Sequence, residues 1–118
     1  MTTEQIQVAM LESIARRDEL VKDAQKLFIE ASECEHRYRL AQAKAYLKAD
    51  GKNADERRGQ VDQMVSDEMH AYKIADAKAY GIKEAIAAEK DKLSAYQSLL
   101  RLQITELDAL RFGQHNQP

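Results

Sequence analysis

The stretch AKAYLKADGKNADE, residues 43–56, contains the one strong turn signal that precedes the C-terminal tail of this 118-residue chain. On both sides of it, residues recur alternately four and three positions apart, a spacing that keeps them on one side of an α-helix facing another helix. We call these positions the seam: Leu20, Ala24, Leu27, Ala31, Cys34, Tyr38, Ala41 and Ala45, then Val61, Val65, Glu68, Tyr72, Ala75, Ala79, Ile82, Ile86, Glu89, Leu93, Tyr96, Leu100, Gln103, Leu107 and Leu110. The seam predicts an all-α fold, a long antiparallel, coiled-coil-like helical hairpin.

Capping patterns predict where the two helices begin and end. Thr2 and Gln5 fit a capping box, so helix 1 is predicted from about residue 3 to 49, ending where Gly51 supplies a left-handed cap. Asn53 and Glu56 form a second capping pattern, so helix 2 is predicted from about 54 to 112. Residues 1–112 then form a single domain, and residues 113–118 a disordered tail. Towards the N-terminus the seam continues through Arg17, Ser13, Met10 and Ile6.

Two glycines inside helix 2 mark places where it could bend. Gly59 lies in its second turn and could mark a kink or a short separate helix, and Gly81 could permit a bend or a close helix approach. If Gly51 is the pivot of the hairpin, the numbers of paired residues add up to about 102. Everything after about Leu100 then extends beyond the start of helix 1.

The extension is too apolar to remain in water, so we expect it to pack against another subunit. A kink at Gly81 that folds it back on its own hairpin is the alternative. Two extended helices bury little surface per residue, which also favours a homo-oligomer that completes the fold. The predicted oligomer interface comprises Leu93, Tyr96, Leu100, Ile104, Leu107, Leu110 and Phe112.

Charge is segregated along the chain although the net charge is only −2. Residues 1–35 carry four basic and eight acidic residues, and residues 59–118 carry seven basic and nine acidic residues. Residues 36–58 carry seven basic and three acidic residues, so the positive charge gathers at this part of the chain, the hairpin tip. Bases at helical spacing can contact successive phosphates, and aromatic rings can stack on exposed bases. The alternative is that these charges only form a solvated surface. Tyr38 lies on the seam, which favours a position in the core, so Tyr46 is the better candidate for stacking on bases. The predicted nucleic-acid-binding residues are Arg37, Arg39, Lys44, Tyr46, Lys48, Lys52, Arg57 and Arg58.

Composition argues against several other classes of protein. No stretch of about 18 apolar residues is present, so we expect no membrane partner. The N-terminus lacks a secretory signal pattern, and a single cysteine cannot form an intramolecular disulfide, which favours a cytoplasmic location.

Candidate residues for catalysis or metal binding are isolated in the sequence. Cys34 lies on the seam, which favours a buried, inert thiol, and His36 is expected to be exposed. His70 follows Asp67 but belongs to no repeated Glu-x-x-His motif. In the segment 50–55 the glycine is at the wrong position for a calcium loop, and the glutamate that ends such a loop is missing. We therefore expect no catalytic residues, no metal and no cofactor, and a protein that is not an enzyme.

The segment from about Glu30 to Leu107 resembles small phage helical proteins of the UvsY recombination-mediator type. The resemblance lies in residues 41–48, AQAKAYLK, leading to Gly51-Lys52, then Glu68, residues 76–78 and the leucine-rich end of helix 2. It implies an oligomer that binds single-stranded DNA, helps to load a recombinase and functions in the cytoplasm of a host cell. Lys44, Lys48 and Lys52 would occupy the positions of that family's basic DNA-contacting segment. The more acidic first helix departs from the family's pattern.

Two functional hypotheses follow from these observations. The first is a non-enzymatic, homo-oligomeric accessory protein of DNA recombination or replication that binds single-stranded DNA and cooperates with a recombinase or another DNA-binding protein. The second is a protein-interaction or scaffold module, such as a phage assembly or host-inhibitory factor, whose apolar face binds a partner helix and whose basic tip has no nucleic-acid role.

Overall fold

The computed structural model describes residues 1–115, which form three α-helices: α1 (Thr3–Lys48), α2 (Ala54–Met64) and α3 (Ser66–His115). The chain reverses between α1 and α2, which confirms the predicted all-α helical hairpin. α3 continues to His115 instead of ending near Phe112, so Gly113 lies inside the helix and does not cap it. The rest of the predicted tail, residues 116–118, lies outside the described residues.

Side chains cap the starts of α1 and α2, as predicted. The Gln5 backbone N–H donates to Thr2 Oγ1 at 3.2 Å, and the Thr2 N–H donates to Gln5 Oε1 at 2.9 Å, forming a reciprocal capping box. At the start of α2, Asn53 Oδ1 accepts a hydrogen bond from the Glu56 N–H at 2.9 Å. Glu56 reaches back one residue further than in the usual pattern, accepting from the Lys52 N–H at 2.9 Å.

Gly51 does not adopt a left-handed backbone conformation, so the prediction of a left-handed cap at this residue is wrong. The glycine is instead required for space, because a Cβ atom there would lie 2.8 Å from the backbone nitrogen of Arg57 and 2.8 Å from Glu56 Cβ. The N–H groups of Asp50 and Gly51 both donate to Oε1 of Gln60 at 3.0 Å. The turn is therefore closed by a side chain of α2 and not by a helical C-cap.

The second arm of the hairpin is interrupted at Val65 and not at either glycine considered in the sequence. Val65 has φ −109° and ψ 16°, a backbone conformation open to residues other than glycine. Its N–H donates to the Val61 carbonyl at 3.0 Å, and its carbonyl accepts from the Met69 N–H at 2.9 Å. The prediction of one helix over 54–112 is corrected to two helices, and α3 is continuous through Gly81.

The helices pack as two units, one of which is Lys22–Lys83. Its interior consists mostly of small residues, which allow the helices to approach closely; those buried are Ala24, Cys34, Ala45, Val61, Val65, Ala75 and Ala79. Tyr38 packs on the Ala45, Val61 and Val65 cluster and stacks on Tyr72, with ring centroids 5.8 Å apart. The prediction that Tyr38 belongs to the core is confirmed.

The other unit combines Met1–Val21 with the described part of the chain from Glu84 onward. Ile6 and Ser13 are fully buried in it. Polar cross-helix contacts align the two helices antiparallel: Thr3 Oγ1 donates to Gln103 Oε1 at 2.8 Å, and Ser13 Oγ donates to Glu89 Oε2 at 2.7 Å. Gln103 Nε2 also donates to the Met1 carbonyl at 2.7 Å.

The seam is confirmed, and its pairing across the two helices is close to the predicted register. Every seam position from Leu20 to Ala45 and from Val61 to Gln103 is buried or half-buried. The numbers of the hydrogen-bonded residues Ser13 and Glu89 add up to 102, as predicted, whereas those of Thr3 and Gln103 add up to 106. The start of α1 therefore reaches Gln103, and the extension of α3 begins after that residue instead of after Leu100.

Candidate functional site

The hairpin tip carries four basic side chains that are exposed and make no ion pair within residues 1–115. They are Lys44 and Lys48 in the last turns of α1, Lys52 in the turn, and Arg58 in α2. Lys44 and Lys48 are four residues apart, so they lie on the same face of α1. The local charge is thus available to a partner.

Two of the three acidic residues of the tip, Asp50 and Glu56, accept hydrogen bonds from neutral N–H groups. Asp50 Oδ1 accepts from the Gln60 side-chain amide at 2.7 Å, and Glu56 accepts from the Lys52 backbone N–H. Asn53 adds a neutral cap at the start of α2. Neither these two carboxylates nor Asp55 forms an ion pair with a lysine or arginine in the part of the chain that the structure describes.

The structure gives the other predicted basic residues a different role. Arg57 is half-buried and donates from Nη1 to the Gly51 carbonyl at 3.0 Å, so it stabilises the turn. Arg37 pairs with Glu33 at 3.9 Å, and Arg39 pairs with Glu35 at 3.5 Å, each four residues away on α1. Exposed pairs of this kind are weak and exchange readily with other partners.

Tyr46 is not brought together with the lysines of α1. At about 100° per residue, Tyr46 lies on one side of the seam residue Ala45, whereas Lys44 and Lys48 lie on the other. Tyr46 is 45% exposed. It shares its side of the hairpin with Arg58, so stacking on Tyr46 and contact with the lysines require a ligand that crosses the tip.

The predicted oligomer interface divides into two groups. Leu93, Tyr96 and Leu100 are half-buried, because α1 covers the seam as far as Gln103. Beyond Gln103, α1 no longer covers the seam, and Leu107 and Leu110 are 48% and 66% exposed. Ile104 and Phe112 are also exposed. Together with Thr2 and Thr3, Leu107 and Leu110 border a depression of about 250 Å³.

The isolated reactive side chains are Cys34, His36 and His70, and the predictions for Cys34 and His36 are confirmed. Cys34 is buried, as predicted, and His36 and His70 are exposed. Among the side chains that the structure describes, residues 1–113, no three of His, Cys, Asp or Glu come together in a way that could hold a metal ion. The described helices include none that is long and apolar enough to cross a membrane.

A second surface was missed by the sequence reasoning, a groove of about 370 Å³ within the unit Lys22–Lys83. Its lining residues come from α1 and α3 and are Phe28, Ala31, Ser32, Glu35, Tyr72, Asp76, Ala79, Tyr80 and Lys83. Phe28, Glu35, Asp76 and Tyr80 flank the seam on one side, and Tyr72 lies on it, so the sequence reveals this groove only once the pairing of the two helices is known. We call it the aromatic–acidic groove.

No known protein family, curated protein or solved structure matches this chain.

Proposed function

We propose that this chain is a non-enzymatic, self-associating accessory protein that binds single-stranded DNA with its hairpin tip. The observation that supports this most strongly is the set of four exposed cations, Lys44, Lys48, Lys52 and Arg58, without ion pairs inside residues 1–115. The proposal agrees with the resemblance to recombination mediators, which adds a recombinase or another DNA-binding protein as a partner and the cytoplasm of a host cell as the location.

Binding at one tip is expected to be weak, because only a few phosphates are neutralised. Several tips held in one oligomer act together, since a bound first tip raises the effective concentration of DNA at the next. The exposed end of α3, with Leu107, Leu110 and Phe112, is the surface we propose for self-association. Each part of the hairpin then has its own role, and the two can be tested separately.

Fluorescence anisotropy with a labelled oligothymidylate tests the DNA-binding proposal. Each phosphate contact contributes about 0.7 to the slope of log affinity against log salt for a single strand, so four contacts predict a slope of about −3. Lys44→Glu/Lys48→Glu is expected to abolish binding and to leave helical content unchanged, because both side chains are exposed.

Lys22→Glu/Lys26→Glu is the matched control. It changes the net charge by the same amount, at the same spacing in the same helix, outside the basic segment. We expect it to retain most of the affinity. The proposal fails if wild-type protein binds no oligonucleotide even at low salt, or if both double variants lose the same affinity.

A protein-interaction or scaffold role, as in a phage assembly or host-inhibitory factor, is the second candidate function, and the exposed apolar end of α3 favours it. Here Leu107 and Leu110 would contact a partner helix, and the basic tip would be a solvated surface. Affinity capture from nuclease-treated lysate separates the candidates. One specific protein that is retained by wild type and by Lys44→Glu/Lys48→Glu, but not by Leu107→Ser/Leu110→Ser, supports the second.

A further inference from the structure

We infer that the aromatic–acidic groove binds an arginine-bearing segment of a partner protein. Its apolar walls include Phe28 and Tyr80, which are 46% and 65% exposed, and Tyr72 lies half-buried between the helices. The groove's volume of about 370 Å³ falls in the range of roughly 300–1,000 Å³ found for ligand pockets. Aromatic faces exposed along an open groove provide a stacking surface for a flat group.

The charges of the groove indicate which flat group fits. Glu35 on α1 and Asp76 on α3 line it, against the single cation Lys83. Two carboxylates repel phosphates, so the aromatic rings do not serve as a platform for nucleic-acid bases. A guanidinium group satisfies both features, because it stacks on aromatic faces and pairs with carboxylates through parallel N–H donors.

The hairpin itself shows that Glu35 accepts a guanidinium group. Arg39 lies on the same side of the seam and pairs with Glu35 at 3.5 Å, with side chains that are 65% and 45% exposed. Because such an exposed pair is weak, an incoming arginine can take its place. Asp76 makes no ion pair within residues 1–115 and is exposed, so it is open to a second arginine.

This inference is independent of the proposed DNA contact, since none of the tip cations lines the groove. It adds a second binding surface within the unit Lys22–Lys83, of opposite charge to the tip. A partner protein with an arginine-bearing segment could then be held while the tip contacts DNA.

The probe is a short fluorescent Gly-Ser peptide carrying arginines at alternate positions, titrated into the full-length protein. A peptide with citrulline in place of arginine has nearly the same shape without the charge. We expect the arginine peptide to bind and the citrulline peptide to bind at least about tenfold more weakly, because the charge-assisted pairs are lost. Equal binding of the two peptides would overturn the inference.

Variants of the groove locate the binding. Glu35→Gln/Asp76→Asn is expected to weaken binding about tenfold, whereas Glu30→Gln/Asp62→Asn, which removes two exposed carboxylates outside the groove, leaves it nearly unchanged. Tyr80→Ala is expected to weaken binding, and Tyr80→Phe to retain it, since the ring face is kept. Equal loss in the two carboxylate variants would mean attraction to the acidic protein as a whole and would refute a defined site.

Lys83→Gln provides a test in the opposite direction. Removing Lys83, the one cation among the described lining residues, is expected to strengthen binding of the arginine peptide severalfold. General damage to the protein cannot produce a gain of affinity, so this variant separates a direct electrostatic effect from misfolding. Unchanged or weaker binding by Lys83→Gln, with helical content preserved, would contradict the placement of the peptide in this groove.

Discussion

Ser13 Oγ donates a hydrogen bond to Glu89 Oε2 at 2.7 Å, joining α1 to α3 across the interior of the unit that holds the chain's N-terminus. Ser13 is 1% exposed, and the Glu89 side chain is 12% exposed. Arg16 and Lys92 approach the same carboxylate at 3.3 Å and 3.5 Å. A buried hydroxyl thus meets a carboxylate at a position where the seam pattern would otherwise have an apolar residue, so these polar groups fix which turns of the two helices meet.

This arrangement predicts a stability that depends on pH. The Ser13 hydrogen bond lowers the pKa of Glu89 below its ordinary value of 4.5, with Arg16 and Lys92 acting in the same direction and burial opposing them. A carboxyl group with a lowered pKa in the folded state stabilises the fold above its ordinary pKa. That contribution is lost as the pH falls below 4.5 through the folded-state value.

Urea unfolding of wild type and Glu89→Gln at neutral pH and at low pH measures this contribution. We expect the variant to be less stable than wild type at neutral pH and the difference to shrink at low pH, where wild-type Glu89 becomes protonated. Glu84→Gln is the control, because it removes an exposed carboxylate of α3 that has no ion pair within residues 1–115. A difference for Glu89→Gln that does not change with pH would rule out a charged Glu89 as the stabilising form.

The glycines provide a second prediction, in which the same substitution has opposite effects. Gly51→Ala is expected to destabilise the protein, because the new Cβ atom would lie 2.8 Å from the backbone nitrogen of Arg57, and the backbone cannot easily move. Gly59→Ala and Gly81→Ala are expected to stabilise it by about 0.5–1 kcal/mol each, since both glycines are inside helices with open space around them. Thermal unfolding followed by circular dichroism measures all three, and stabilisation by Gly51→Ala would contradict the close contact.

Much of the fold could be predicted from local patterns in the sequence. The 4-3 spacing identified the buried face, and Thr2–Gln5 and Asn53 identified the helix starts, because capping needs only residues a few positions apart. The register could also have been derived: the two runs of the seam are mirror images about residue 53, which makes Thr3 face Gln103. Gly51 as the pivot gives a sum of 102, which Ser13 and Glu89 match, while Thr3 and Gln103 match the mirror position at residue 53.

Other features depend on contacts between distant residues, which local patterns do not contain. The interruption occurs at Val65, which is fully buried one turn after the fully buried Val61, and no glycine or proline at this position signals it. The sequence shows how many basic residues the tip has. Only the structure shows that Arg57 donates a hydrogen bond to the Gly51 carbonyl, while Lys44 and Lys48 make no ion pair within the described residues. The aromatic–acidic groove combines side chains from α1 and α3, so it becomes visible only when the register is known.

The cap at Asn53 yields a third prediction. Asn53→Ala removes the acceptor for the Glu56 N–H and is expected to lower the free energy of unfolding by about 1 kcal/mol. Asn53→Asp keeps an acceptor at the same position and is expected to retain most of the stability. Chemical denaturation of the three proteins compares them, and equal stability of Asn53→Ala and wild type would show that the cap does not stabilise the turn.

The exposed end of α3 yields the last prediction, which concerns self-association. Leu107 and Leu110 continue the seam past Gln103, where α1 no longer covers it, and we expect a second copy to bury them. Leu107→Ser/Leu110→Ser is expected to shift an oligomer towards monomer in sedimentation equilibrium without loss of helix, because both side chains are exposed in the single chain. Leu40→Ser/Leu47→Ser makes the same chemical change at two exposed leucines of α1 and should leave the assembly intact. Wild-type protein that remains monomeric at high concentration, or equal dissociation of both variants, would contradict an interface at this end of α3.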